Sequence, residues 1–130
     1  LNKNIKKRIQ NYNAHKKFFS SLSDLYDVPY QDPKTFTGWL AYPVMIKSKN
    51  IKRKNLMTFL ENNGIQTRVV FTGNILRQPG FKKIDCIKRK SYPNSDYIMK
   101  NFFLIGCHHG MNKLDINYIH SKIKDFIKFV

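Results

Sequence analysis

Residues 64–81 of this chain, GIQTRVVFTGNILRQPGF, predict a strand followed by a polar loop. The predicted strand, Ile65–Phe71, is rich in the β-branched and aromatic side chains that strands favour. Gly73 and Gly80 permit backbone angles that other residues avoid, so the chain can turn sharply after the strand. The polar side chains offered for binding are Arg68 in the strand and Asn74, Arg77 and Gln78 in the loop.

Two interpretations fit this pattern. In the first, the loop is a surface turn after a core strand, with Arg68 at the strand edge. In the second, the loop is a binding site, because loops held by a rigid scaffold often carry binding residues. Arginine also matches phosphate and carboxylate oxygens with two parallel hydrogen bonds. The residues alone therefore predict an anion-recognising edge of a small α/β domain, without a catalytic side chain of its own.

The composition predicts a single domain over residues 1–130. A chain of this length, 42% hydrophobic, can bury a sizeable core. Twenty-four Lys and Arg against eight Asp and Glu give a formal charge of +16, which favours anionic partners such as phosphorylated ligands or nucleic acid. A basic nucleic-acid-binding module is the alternative from another class. The sequence contains neither an aromatic-studded basic strand nor a recognition-helix motif, which argues against it.

Other features concern location and completeness. Cys86 and Cys107 are too few and too far apart for a disulfide framework, which predicts reduced thiols and a cytoplasmic protein. The longest apolar run, Phe102–Cys107, is far too short to span a membrane, so no membrane partner is expected. The chain begins at Leu1 rather than Met, which predicts a fragment or a processed product.

Hydrophobic periodicity predicts four helices that alternate with three strands. The helices are Asn4–Leu22, Ile51–Asn63, Asn94–Asn101 and Asn112–Val130, and the strands are Gly38–Lys47, Ile65–Phe71 and Phe102–Ile105. This order is typical of a small α/β sandwich, in which helices cover a sheet of short strands. Ser23–Thr37 is predicted to be a connection and Phe81–Tyr92 a basic loop. Pro43 predicts an edge or a bulge in its strand, and His15, among lysines, is predicted to be exposed.

Polar residues near the helix starts predict three caps. Ser48 or Asn50 is expected to cap the second helix, and Asn94–Asp96 the third. Asn112 and Asp115 are spaced as a reciprocal capping pair for the last helix.

Cys107-His108-His109 follows the last predicted strand. Adjacent residues on a strand point to opposite faces, so the three cannot converge on one ion, and His120 does not complete a tetrahedral set. No metal site is therefore predicted. His108 is expected either to lie in a turn or to line a pocket as a hydrogen-bond donor or proton carrier. If its strand neighbours Ile65–Phe71, both polar clusters are expected at one edge of the sheet.

Thr67–Phe81, T-R-V-V-F-T-G-N-I-L-R-Q-P-G-F, resembles the small C-terminal domain of the DegT/DnrJ/EryC1/StrS family. These proteins are pyridoxal-phosphate-dependent sugar aminotransferases and relatives of the aspartate aminotransferase fold. Three further stretches agree in order and spacing: G-W-L-A-Y-P-V, L-E-N-N-G-I-Q-T-R and Y-P-N-S-D-Y-I-M-K-N-F-F-L-I-G-C-H-H-G-M. Within the family, T-R-x-x-F-x-G-N-x-x-R-Q-P is most similar to the nucleotide-sugar 3-dehydrases. Those enzymes use pyridoxamine phosphate to remove the carbon-3 hydroxyl of CDP- or GDP-linked 4-keto-6-deoxyhexoses, and some add an iron–sulfur cluster.

The resemblance implies a division of labour in a longer enzyme of lipopolysaccharide or deoxysugar biosynthesis. The large domain that binds pyridoxal or pyridoxamine phosphate would lie upstream of Leu1, so the chain alone would be inactive and would bind neither cofactor. The full-length enzyme would be a homodimer with a nucleotide-diphosphate sugar as substrate. The residues implied to contact the sugar or its diphosphate are Arg68, Asn74, Arg77, Gln78 and His108. The near alternative is an aminotransferase, which an upstream lysine in place of histidine would indicate.

Overall fold

The fold is built on a four-stranded antiparallel sheet, seen in a computed structural model that describes residues 1–81, 83–87 and 91–129. The elements are α1 (Asn2–Ser20), β1 (Tyr26–Asp27), β2 (Ala41–Ile46), α2 (Arg53–Asn62), β3 (Thr67–Val69), α3 (Pro93–Asn101), β4 (Phe102–Gly106) and α4 (Lys113–Ile127). The strand order is β1-β2-β4-β3. The predicted class, a small sheet of short strands covered by helices, is confirmed. Parts of two predicted segments lie outside the described residues: Lys82, Lys88, Arg89 and Lys90 of the basic loop, and Val130.

One face of the sheet carries the hydrophobic core. Along β2 and β4 buried side chains alternate with half-buried ones, because successive residues of a strand point to opposite faces. Helices α1, α2 and α4 cover the buried face, and α3 lies against the other. The position of α3 follows from Tyr97, which packs edge-on against Phe102, a residue that alternates with the buried Phe103.

β1 lies inside Ser23–Thr37, which the sequence predicted to be a connection. The strand has only two residues, too few for a periodic signal, and it pairs with Met45 and Ile46 of β2. At Pro43 this side of β2 therefore has no strand partner, while β4 pairs along the other side. Pro43 sits where the strand is locally an edge, as predicted.

The predicted helix caps are confirmed for α4 and wrong for the other two helices. Asn112 and Asp115 make both hydrogen bonds of a capping box. Helix α2 begins after Lys52 and α3 after Tyr92, and neither start has a side-chain cap. The residues predicted for that role, Ser48, Asn50 and Asn94–Asp96, lie outside the cap positions. The first-turn N–H groups of α2 are consequently left without a side-chain acceptor.

β3 is shorter than the predicted strand Ile65–Phe71. Gly64 ends the preceding helix with φ +73°, and the chain pairs with β4 only over Thr67–Val69. Phe71 lies beyond the strand, with φ +43° and a 92% exposed side chain. Strand propensity reflects how a side chain fits a half-buried surface. β3 is an edge strand whose end leaves the core, so the apolar run Val69 to Phe71 did not extend it.

His15 is buried, and the prediction that it is exposed is wrong. Its Nε2 lies 3.0 Å from the carbonyl oxygen of Gly106, and its Nδ1 lies 3.0 Å from Nε2 of His120. Because a carbonyl only accepts, Nε2 of His15 carries the proton and Nδ1 accepts from His120. Burial lowers the pKa of His15 to about 4, and burial together with the charge of His15 lowers the pKa of His120 to about 4.

Candidate functional site

The loop after β3 is held in place by a carboxylate from α3. Asp96 accepts hydrogen bonds from Nδ2 of Asn74 at 2.7 Å and from Nε and Nη2 of Arg77 at 3.1 and 2.9 Å. The other end of the Asn74 amide accepts from the N–H of Leu76, which shapes the 3-10 turn Ile75–Arg77. The hydrogen bonds from Arg77 and Asn74 hold the pKa of Asp96 below its usual range.

The start of this loop is pressed against the same helix. Gly73 has φ +62°, and a Cβ built on it would collide with Cβ of Met99. Only glycine therefore fits between the loop and α3. Gln78 closes the loop by donating from Nε2 to the carbonyl oxygen of Thr72 at 3.0 Å. Residues 72–78 thus form a rigid support, and the Asn74 and Gln78 side chains serve that support.

Arg77 is the loop residue that remains available to a ligand. Its side chain is 62% exposed, and its Nη1 makes no hydrogen bond to the described residues. The guanidinium also lines a large groove between α2 and α3. The fixed loop therefore holds one edge of the guanidinium, formed by Nε and Nη2, against Asp96 and leaves Nη1 directed towards solvent.

Arg68 lies apart from this cluster. It sits on the exposed edge strand β3, donates from Nη1 to the carbonyl oxygen of Thr67, and lines a second groove with Arg53 and Glu61. Hydrogen bonds from the N–H and hydroxyl of Thr67 hold the pKa of Glu61 below its usual range, with a smaller contribution from the charge of Arg68. The structure therefore brings Asn74, Arg77 and Gln78 together and leaves Arg68 in a neighbouring groove.

His108 lies at the opposite end of the sheet. β3 and β4 are neighbours, but they are antiparallel, with Thr67 opposite Ile105 and Val69 opposite Phe103. The chain leaves β3 beside the start of β4, whereas His108 follows the end of β4. The expectation that both polar clusters emerge at one edge is therefore wrong, since neighbouring strands share an exit edge only when they are parallel.

Two features of the site were missed from the sequence. Asp96 was interpreted as a helix cap, although its partners Asn74 and Arg77 lie 22 and 19 residues away, beyond any local pattern. All residues of the segment 47–54, KSKNIKRK, except Asn50 line the groove beside Arg77, and five of the eight residues in the segment are basic. That density is visible in the sequence, but the sequence-based prediction rested only on the total charge of the chain.

The model of the DegT/DnrJ/EryC1/StrS aminotransferase family matches residues 1–124. The chain belongs to this family.

Three relatives illustrate the similarity. The lipopolysaccharide biosynthesis protein RfbH of Salmonella typhimurium is 28% identical over 123 residues, covering 94% of this chain and 28% of that protein. A crystal structure of GDP-4-keto-6-deoxymannose-3-dehydratase with bound GDP-perosamine is 26% identical, with a TM-score of 0.77 over 95% of this chain and 32% of that one. The E. coli GDP-4-keto-6-deoxy-D-mannose-3-dehydratase with bound hydrated PLP is 26% identical, with a TM-score of 0.73 over 91% of this chain and 30% of that one. The chain spans about a third or less of each.

The described residues do not by themselves fit a pyridoxal phosphate site. Such a site needs a residue facing the reacting carbon and a carboxylate free to bind the pyridinium nitrogen. In the grooves on either side of β3 and α3 the acidic side chains are Glu61 and Asp96, and both already accept hydrogen bonds from Thr67 or from Arg77 and Asn74. No lysine in the described parts of the chain is buried.

The described residues contain neither a cluster of metal ligands nor a membrane-spanning helix. Over residues 1–81, 83–87 and 91–129, no three His, Cys, Asp or Glu side chains lie close enough together to hold a metal ion. No helix within the same residues is long and apolar enough to cross a bilayer. Cys86 is exposed and Cys107 buried, and both are free thiols.

Proposed function

We propose that this chain is the C-terminal small domain of a nucleotide-sugar 3-dehydrase that depends on pyridoxamine or pyridoxal phosphate. The enzyme would remove the carbon-3 hydroxyl of a CDP- or GDP-linked 4-keto-6-deoxyhexose in lipopolysaccharide or deoxysugar biosynthesis. The observation that carries the proposal is the similarity to GDP-4-keto-6-deoxymannose-3-dehydratase over 95% of the chain. The likeness to RfbH over 94% of the chain supports the same branch.

The loop of residues 72–78 supplies substrate binding in this proposal. Arg77 presents, at a fixed position, guanidinium N–H groups that have no partner among the described residues, which suits the oxygens of a diphosphate or of a sugar. Asn74 and Gln78 hold the loop and so position Arg77, and Arg68 and His108 remain predicted contacts. The chain binds and orients the substrate, and the cofactor's carbon-3 chemistry belongs to the large domain.

The remaining parts of the proposal concern partners. The large domain would precede Leu1 in the full-length protein, and two such subunits would form a homodimer in the cytoplasm.

An aminotransferase is the second candidate, because the family model is that of an aminotransferase family. The two differ at one upstream position, where histidine indicates the dehydrase and lysine the aminotransferase.

The test begins with the gene region upstream of Leu1 and the purified full-length protein. With GDP- or CDP-4-keto-6-deoxyhexose, cofactor and glutamate as amino donor, a 3-deoxy product detected by mass spectrometry supports the dehydrase. A 4-amino sugar as the sole product indicates the aminotransferase instead. Failure to convert either nucleotide sugar, by a protein that retains its cofactor absorbance, refutes both.

Two variants of that enzyme test the role of Arg77. Arg77→Gln is expected to raise KM for the nucleotide sugar about tenfold with little change in kcat, because it removes uniform binding. Arg77→Lys keeps the charge but loses the two-pronged geometry, so an intermediate KM is expected. Arg8→Gln on α1 is the matched control and should leave KM unchanged. Equal effects of Arg8→Gln and Arg77→Gln would contradict the assignment.

A further inference from the structure

A positively charged groove lies between the start of α2 and α3, beside the loop that holds Arg77. Its volume of about 990 Å³ is at the upper end of the range of small-molecule sites. Its basic side chains, apart from Arg77, are Lys47, Lys49, Lys52, Arg53, Lys54 and Lys100. Asp96 is the one acidic side chain in the lining, and its carboxylate already binds Asn74 and Arg77.

Most of these cations have no counter-charge among residues 1–81, 83–87 and 91–129. Lys52 donates to the carbonyl oxygen of Lys49, and Arg53 donates from Nη1 to that of Phe102. The side-chain ammonium groups of Lys49, Lys54 and Lys100 make no hydrogen bond or ion pair with the described residues. Like charges gathered on one groove repel each other, and salt screens this repulsion only beyond about 8–10 Å. An anion bound among them would therefore relieve a repulsion built into the free chain.

The direction of α2 adds to this imbalance. Helix N-termini carry partial positive charge and favour acidic side chains. α2 instead begins with Lys52, Arg53 and Lys54, has no acidic residue in its first turn, and carries Glu61 near its other end. Lys52, Arg53 and Lys54, which line the groove, are thus placed where the helix dipole opposes their positive charge. A bound anion would be attracted by both the side chains and the helix.

The groove also contains an aromatic surface. Tyr97 lines it and is 43% exposed. Its hydroxyl donates to the carbonyl oxygen of Ile46 at 3.3 Å, and its ring packs edge-on against Phe102, so the ring is fixed. A fixed aromatic face beside positive charge suits a nucleobase or sugar attached to phosphates.

We propose that this groove binds a nucleoside diphosphate, with Lys49, Lys52 and Lys100 on the phosphate oxygens and Tyr97 against the nucleoside. That the nucleoside diphosphate is part of a nucleotide-sugar substrate rests on the proposed function. The anion site itself rests on the groove.

Calorimetric titration of the 130-residue chain at about 150 mM salt tests the site, with GDP, CDP, pyrophosphate and guanosine as probes. GDP and CDP are expected to bind more tightly than pyrophosphate, and guanosine alone more weakly than GDP. Combining Lys49→Gln, Lys52→Gln and Lys100→Gln should weaken GDP binding at least about tenfold, since three charge-assisted contacts are lost. The control combines Lys3→Gln, Lys6→Gln and Lys34→Gln, which remove the same charge outside the groove. It should change the Kd by less than about twofold.

Several outcomes would overturn the site. GDP binding that falls equally in both triple variants would show a general field effect, and no binding of any phosphate probe would refute the groove. A 12-nucleotide RNA that binds more tightly than GDP, and loses affinity in the groove variant alone, would make the groove a nucleic-acid site. Variants with circular dichroism like that of the parent chain are required for each comparison.

The groove and the proposed function fail separately. Groove variants of the full-length enzyme with an unchanged KM would refute the groove and leave dehydration intact. GDP binding by a protein that converts no nucleotide sugar would refute the proposed function and keep the groove.

Discussion

Acid should destabilise this chain through one buried histidine. His15 lies on the buried face of α1 with both ring nitrogens in use, one donating to Gly106 and the other accepting from His120. A second proton on His15 would turn the accepting nitrogen into a donor that faces another donor. It would also place a charge where the side chain has no exposure to water.

The size of the effect follows from the pKa. Burial lowers the pKa of His15 from 6.5 to about 4 in the folded chain. Between those values the unfolded chain binds more protons, so stability is fully present above pH 6.5 and is lost as pH falls to about 4. At about 1.4 kcal/mol for each pH unit, the loss is about 3 kcal/mol. Below pH 4 this residue contributes no further change.

Urea unfolding, followed by circular dichroism at pH 7 and at pH 4, measures the effect. Carboxylates and His120, whose pKa is also lowered to about 4, titrate in this range as well, so the informative quantity is the difference between the parent chain and His15→Gln. The parent chain should lose about 3 kcal/mol more than His15→Gln does between the two pH values. His109→Gln, at an exposed position, should keep the parent's pH dependence.

Equal pH dependence in the parent chain and His15→Gln would refute the reasoning. That result would mean that His15 has the same pKa in the folded and unfolded chains, as it would if water reached the side chain. A loss that is removed by His109→Gln would place the effect at the exposed turn after β4 instead.

Three other predictions concern single contacts. Gly73→Ala should lower the free energy of unfolding by about 2 kcal/mol, because its Cβ meets Met99 at a positive φ, whereas Gly80→Ala, with open space around it, should cost far less in the same urea titration. Asp96→Asn should speed trypsin cleavage after Arg77, since the loop loses its ion pair, and Asp125→Asn on α4 should leave that cleavage rate unchanged. Tyr26→Phe should leave stability equal or raise it by about 1 kcal/mol, because it removes a buried hydroxyl with no partner among the described residues.

Periodicity predicted most of the fold because most elements bury one regular face. The four helices, the strands β2 and β4 and the α4 capping box all follow from local spacing. The same spacing places His15 three residues after Tyr12 and four before Phe19, on the buried face of α1. The prediction that His15 is exposed rested on its polar side chain and its lysine neighbours rather than on this spacing. A polar side chain on a buried face should instead have prompted a search for its partner.

The candidate site was only partly predictable, because its contacts join residues far apart in the chain. Thr67–Phe81 pointed to the loop of the candidate site through its composition and its resemblance to a family, and the binding role of that loop stays a prediction. The carboxylate that holds the loop is that of Asp96 on α3. The need for glycine at position 73 comes from its close contact with Met99, which only the folded structure shows. Strand direction had the same limit: the antiparallel pairing that separates His108 from Arg77 depends on topology, which connection lengths did not fix.

Arg77 and the lysines of the groove should contribute differently to anion binding. Two of the three guanidinium nitrogens of Arg77 already donate to Asp96, so an arriving anion shares this residue with a carboxylate of its own sign. Lys49 and Lys100 have no such competitor among the described residues. The lysines should therefore supply most of the attraction, which added salt weakens, whereas Arg77 supplies direction through a geometry that salt leaves unchanged. Raising salt from about 50 to 300 mM should accordingly weaken GDP binding less in the groove variant than in the parent chain, and an equal slope in both would contradict this division.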